Sequence, residues 1–110
     1  MLDFENIIKN SNIEYNEFYL KRYLKFINSI SELGKRDLGN KEIHHILPKS
    51  IFMEYKSNKK NLISLKCKEH YLAHFMLYKC FYNSDEMIYS FNITVKIFNH
   101  FINNVTCFIH

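Results

Sequence analysis

Two glycines and one proline in 110 residues leave this chain few places to turn sharply. A many-stranded sheet needs a turn residue every few positions, so this scarcity favours helices joined by a small number of loops. A hydrophobic content of 47% with 16% aromatic residues is ample for a packed core and argues against disorder. The length fits one small domain, whose modest core profits from a metal or a partner.

Hydrophobic periodicity places four helices. Leu2, Phe4, Ile7 and Ile8 suggest a short one over residues 2–10. From Asn16 to Leu33, Tyr19, Tyr23, Ile27 and Ile30 recur at steps of four and three with Leu20 and Leu24 beside them. Gly34 then follows as a stop, with Lys35 and Arg36 adding positive charge near the helix end. That stripe reads as core-facing and carries no catalytic signature. Tyr71, Phe75, Tyr78 and Tyr82, with Leu72, Met76 and Leu77, predict a third helix from about Cys67 to Tyr82. Ser84 with Asp85 and Glu86 behind it is a good N-cap for a fourth, which carries Met87, Phe91, Val95, Phe98, Ile102 and Val105 on one face. Between the second and third helices, Lys41 to Leu47 reads as a strand closed by Pro48. Asn61 to Leu65 reads as a second strand, giving a hairpin with a long irregular loop over 48–60.

Cys67, Cys80 and Cys107 are an odd number without a C-x-x-C pair, which argues against a disulfide framework and a four-cysteine zinc knuckle. The acidic start M-L-D-F-E does not resemble a signal peptide, and no apolar run approaches membrane-spanning length. The expectation is a soluble, cytoplasmic protein with no membrane partner.

Chemistry concentrates in the middle of the chain. Four of six histidines lie between His44 and His74: an adjacent pair, then Asn61 sixteen positions after His45, then His70 and His74. Spaced four apart on a helix, His70 and His74 project from one face and can offer two imidazoles to one metal ion. The same region is basic: Lys35 to Lys68 holds nine cations (Lys35, Arg36, Lys41, Lys49, Lys56, Lys59, Lys60, Lys66, Lys68) against three acids. Such a run suits a polyanion, and an ordinary solvated loop explains it equally well.

The segments H-H-I-L-P-K-S, N-L-I-S-L and E-H-Y-L-A-H together resemble the ββα-metal motif of HNH endonucleases, most closely the small phage-type members. Glu42 falls at the acidic position of the pattern E-x-H-H-I-x-P. The resemblance covers residues 42 to about 77. It implies an α+β fold, mostly helical, with a ββα-metal core at 41–82 between an N-terminal helical segment (1–40) and a C-terminal helix (83–110), all one domain.

The resemblance also assigns roles. His44, His70 and His74 would be metal ligands, and His45 the general base that takes a proton from the attacking water. Asn61 would hold the His45 imidazole or its loop. Glu42 and Glu69 would act behind the ligands, with complementing the start of the third helix as the other role open to Glu69. Lys49, Lys56, Lys59 and Lys60 would contact phosphates. The implied reaction is metal-dependent hydrolysis of DNA phosphodiester bonds to a 5′-phosphate and a 3′-hydroxyl, with RNA left open as a substrate. One divalent ion suffices, and an imidazole-rich set suits zinc, nickel, cobalt or manganese at least as well as magnesium. The protein would act as a monomer or homodimer, encoded by a phage in a bacterial host. The alternatives are a non-catalytic module that keeps its metal as a structural staple, and a regulator that borrows the fold to bind a nuclease or nucleic acid.

This chain departs from that pattern in three ways. The loop I-F-M-E-Y-K-S-N-K-K has no glycine, Lys66 stands at the helix-opening position where it cannot cap, and no knuckle cysteines accompany the motif. Cys67 is therefore expected to be a small core residue, and His100 and His110 to be structural.

Overall fold

The computed structural model describes residues 2–109; the side chains of 101 and 104–109 are not described. Four helices and one two-stranded antiparallel hairpin follow in the order α1 (Phe4–Lys9), α2 (Glu17–Ser31), β1 (Glu42–His45), β2 (Leu62–Leu65), α3 (Cys67–Cys80) and α4 (Asp85–Ile109). This is an α+β chain, mostly helical, built as a ββα core with flanking helices, as expected from the sequence.

The helix starts follow local chemistry. Asp3 caps α1 by accepting the Asn6 N–H at 3.1 Å, and Asn16 caps α2 by accepting the Tyr19 N–H at 3.0 Å. Ser84 accepts the Met87 N–H at 3.2 Å ahead of α4. Past the end of α2, Gly34 takes φ +69°, the left-handed conformation that a residue without Cβ adopts at little cost. Lys66 supplies no side-chain cap to α3, but that helix start is not left weak. The Glu69 carboxylate reaches back to accept the Lys66 N–H at 2.8 Å, and its charge suits the positive helix end.

The strands pair Glu42 with Leu65, Ile43 with Ser64, His44 with Ile63 and His45 with Leu62. Side chains alternate across a strand, so His44 turns inward to 2% exposure while Ile43 is left 53% exposed. The second strand opens at Leu62 rather than Asn61, because Asn61 closes a 3-10 turn, Lys59–Asn61. A second such turn, Met53–Tyr55, follows the buried Phe52. These two tight turns carry the glycine-free loop without any non-glycine residue at positive φ among the described residues.

α3 packs against α2, α4 and both strands of the hairpin. Leu20, Tyr23, Ile27 and Ile30 of α2 meet Leu65, Ala73 and Leu77 in the core. α4 is fastened by ring contacts: Tyr71 stacks on Phe98 at 4.5 Å between centroids, and Tyr78 on Phe91 at 5.0 Å. Met87, Phe91, Val95 and Phe98 are buried or half-buried, as their spacing predicts; Ile102 is 42% exposed, and the side chain of Val105 lies outside the described residues. Two further expectations shift. α3 ends at Cys80, leaving Tyr82 half-exposed with its hydroxyl donating to Glu14 at 3.1 Å. Cys67 sits half-buried at the first position of α3 and is not a core residue, whereas Cys80 is fully buried. Both are free thiols. No helix among the described residues is long and apolar enough to cross a membrane.

Candidate metal centre

His44 comes from the centre of the hairpin, and His70 and His74 come from one face of α3. Because β1 lies across α3, three imidazoles meet. Ring centroids are 5.2 Å apart for His44 and His70, 5.2 Å for His44 and His74, and 4.6 Å for His70 and His74. One nitrogen from each ring falls within 4.8 Å of the others, a set that can hold a metal ion. Two zinc–nitrogen bonds of about 2.0–2.1 Å span at most about 4.2 Å, so the rings would draw together to hold an ion.

The outer nitrogens are occupied. His44 Nε2 lies 2.7 Å from the Tyr23 hydroxyl, His70 Nδ1 lies 3.0 Å from Glu42 Oε1, and His74 Nδ1 lies 3.0 Å from Ser90 Oγ. The inward nitrogens face one another, with His70 Nε2 and His74 Nε2 3.0 Å apart. His44 Nδ1 is a buried polar atom without a hydrogen-bond partner, the one such side-chain nitrogen or oxygen among the described residues. Leaving an acceptor unpaired in the interior costs about 1–3 kcal/mol, a cost that a bound cation removes. The donor set therefore fits a divalent ion with a taste for imidazole.

Burial pushes the His44 imidazole well below its usual pKa, and the neighbouring His74, His70 and His45 add to that. Burial first, and then His70, lowers His74 to about 4. Both rings are thus neutral at pH 7, the form that binds metal.

His45 lies at the end of β1 and lines the same groove as the three inward histidines, a cavity of about 560 Å³ that also takes in Lys49, Ser90 and Ile93. Its Nε2 sits 3.2 Å from the Lys56 carbonyl. A carbonyl only accepts, so Nε2 carries the hydrogen and Nδ1 keeps its lone pair. The loop that presents this carbonyl is held by Asn61, which is fully buried. Asn61 Oδ1 accepts the Leu47 N–H at 2.7 Å, and its Nδ2 donates to the Leu47 and Tyr55 carbonyls at 3.1 and 3.3 Å. Of the two positions open to it from the sequence, Asn61 is found on the loop and not on the His45 ring. A cleft of about 750 Å³ elsewhere, lined by Lys35, Arg36, Lys41 and Ser64, contains none of these histidines.

Glu42 touches His70. Glu69 contacts no imidazole: both of its oxygens take 2.9 Å bonds from Arg36, and one also caps α3. The Arg36 guanidinium holds the Glu69 carboxyl below the usual carboxylate range. Among the expected phosphate contacts, Lys49 lines the groove, whereas Lys56, Lys59 and Lys60 stand exposed along the loop. His100 is exposed on α4 and is not part of the cluster, and His110 lies outside the described residues. Tyr23, Ser90 and Arg36 are in contact with the site or its supports without having been singled out from the sequence. The hint for Tyr23 was a hydroxyl in a core stripe, since a buried tyrosine needs a partner for its oxygen; nothing local marks Ser90.

No family model matches the chain, and no solved structure matches it. Over 75 residues it is 36% identical to a protein of Enterobacteria phage T4 named a probable mobile endonuclease D; the match takes in 62% of this chain. The chain spans 28% of that relative's length.

Proposed function

We propose that the chain is an HNH-type nuclease domain that hydrolyses phosphodiester bonds in DNA. The observation that carries this reading is a single groove in which three imidazole nitrogens converge beside a fourth histidine whose Nδ1 is free to accept a proton. The similarity to a phage protein named as an endonuclease supports the same class.

A divalent cation held by His44, His70 and His74 would supply Lewis-acid stabilisation of the charge that develops on the phosphate and on the leaving oxygen. The residues of the chain do the rest. His45 Nδ1 takes a proton from water as the water oxygen attacks phosphorus. The P–O3′ bond breaks, and the leaving oxygen is protonated from solvent. The products are a 5′-phosphate and a 3′-hydroxyl, and His45 then returns its proton to solvent. Asn61 fixes the loop whose Lys56 carbonyl fixes the His45 tautomer, so the base is oriented through two hydrogen-bonded links. Lys49 at the groove edge, with Lys56, Lys59 and Lys60 along the loop, offers charge to the phosphates on either side.

Incubating supercoiled plasmid with the protein tests the reading. Nicks should appear with manganese, magnesium or zinc, stop with EDTA, and be resealable by a DNA ligase that requires a 5′-phosphate and a 3′-hydroxyl. A single-stranded RNA substrate run in parallel sets the substrate class. A protein that binds the metal but cuts no nucleic acid with any ion would instead be a metal-stapled binding module.

A further inference from the structure

We propose that Tyr23 and Ser90, one from each helix flanking the ββα core, are positioning residues that hold His44 and His74 with Nδ1 of His44 and Nε2 of His74 turned to the cation. This rests on the metal reading above and extends it to side chains outside the motif.

The assignment at Tyr23 follows from counting hydrogens. Its hydroxyl is fully buried and contacts two groups: the Ile46 carbonyl at 2.6 Å and His44 Nε2 at 2.7 Å. The carbonyl can only accept, so the single phenolic hydrogen goes there. The oxygen then faces Nε2 as an acceptor, and Nε2 must carry the imidazole hydrogen. That leaves the lone pair on Nδ1, the very atom that has no partner in a ring 2% exposed. Tyr23 thus locks one tautomer, and the orphaned atom is the nitrogen this ring has left to offer a cation.

Ser90 acts differently. Glu42, a carboxylate, accepts from His70 Nδ1–H, so in the neutral ring Nε2 carries the lone pair. His74 Nε2 lies 3.0 Å from that atom, a spacing at which two lone pairs repel unless a hydrogen or a cation intervenes. The Ser90 hydroxyl, 3.0 Å from His74 Nδ1, serves both cases because it can donate or accept. Without metal, Ser90 donates to Nδ1 and the His74 hydrogen sits on Nε2, bridging to His70. With metal, the hydrogen moves to Nδ1, Ser90 accepts it, and all three lone pairs converge. α2 therefore fixes one ligand, and α4 lets another change tautomer as the ion enters. His44 would hold the ion through Nδ1, and His70 and His74 would hold it through Nε2.

The test reads tautomers and affinity, not cleavage. Long-range ¹H–¹⁵N spectra of the histidine-labelled, metal-free protein should show the His44 hydrogen on Nε2. Adding one equivalent of zinc should move the His74 hydrogen to Nδ1. Zinc affinity by chelator competition should fall about 10–100-fold in Ser90→Ala and in Tyr23→Phe, with Ser90→Thr restoring it towards wild type. A His44 hydrogen on Nδ1 in the wild-type spectrum overturns the proposal even if Tyr23→Phe fails to fold. So does Ser90→Ala binding zinc within twofold of wild type. A protein that binds zinc with these tautomers yet never nicks plasmid leaves this assignment standing and removes the cleavage reading alone.

Discussion

Neutral histidines packed inside a small protein make its stability depend on pH in a direction that can be worked out. His74 has a pKa near 4 in the folded chain, because it is buried and faces His70, against about 6.5 when unfolded. His44 is shifted the same way. Between those values the unfolded chain binds more protons than the folded one, so acid favours unfolding. Nothing is lost above about pH 7, where both states are neutral. At pH 5 the contribution of His74 alone is about 2 kcal/mol against the fold. Thermal melts of metal-free protein should show Tm falling steadily from pH 7 to pH 4.5, while saturating zinc should hold Tm nearly level until protons compete for the ligands. A metal-free Tm that is flat across that range would contradict the burial of these rings. Asn61 sits at the same scale. Asn61→Ala removes three hydrogen bonds and strands the Leu47 N–H in the interior, for an expected loss of about 2–4 kcal/mol in a urea melt.

At the scale of elements, what could be read from the sequence was what repeats or caps locally. The α2 stripe was legible because four apolar side chains at helical spacing can only be satisfied on one face, and Ser84 and Gly34 announced the ends they make. The two 3-10 turns were not legible, since three residues are too few to show a period. They decide where Asn61 sits and how the loop manages without glycine. Lys66 does not cap α3; Glu69, three residues inside the helix, takes up that start, one of the two roles open to it from the sequence, and is also gripped by Arg36. This separates two acids that the sequence groups together. Glu69→Ala should cost about 1–2 kcal/mol of stability through the lost cap and ion pair, with zinc affinity changed less than threefold. Glu42→Ala should do the reverse, weakening zinc about 10–100-fold through the freed His70 ring at modest cost to the melt. Paired denaturant and metal titrations on the two variants check the contrast, and equal effects on affinity would undo it.

Over the whole molecule, the contacts that complete the site join residues far apart in the chain. Tyr23 and His44 are 21 positions apart, Ser90 and His74 are 16, and Arg36 and Glu69 are 33. No local pattern encodes such pairs, so the motif gave three candidate ligands and a candidate base, while the contacts of the flanking helices with them emerged only from the packing. The same holds for the basic residues, whose count is plain in the sequence but whose placement is not. Lys49 lines the groove with the histidines, whereas Lys56, Lys59 and Lys60 ride the loop. If all four meet phosphates, each neutral substitution to Gln should lower the slope of log affinity against log salt by about 0.9 on duplex DNA. Fluorescence anisotropy with a cleavage-dead variant measures it, and a substitution that leaves the slope unchanged assigns that lysine to solvent.

The most direct test of the account is one variant, His45→Ala, assayed for metal content and plasmid nicking on the same preparation. The account predicts one equivalent of tightly bound divalent metal, as in wild type, with nicking slowed by about 10²–10⁴-fold. Nicking at the wild-type rate with metal retained would contradict it, because the proton would then leave the water by some route other than His45.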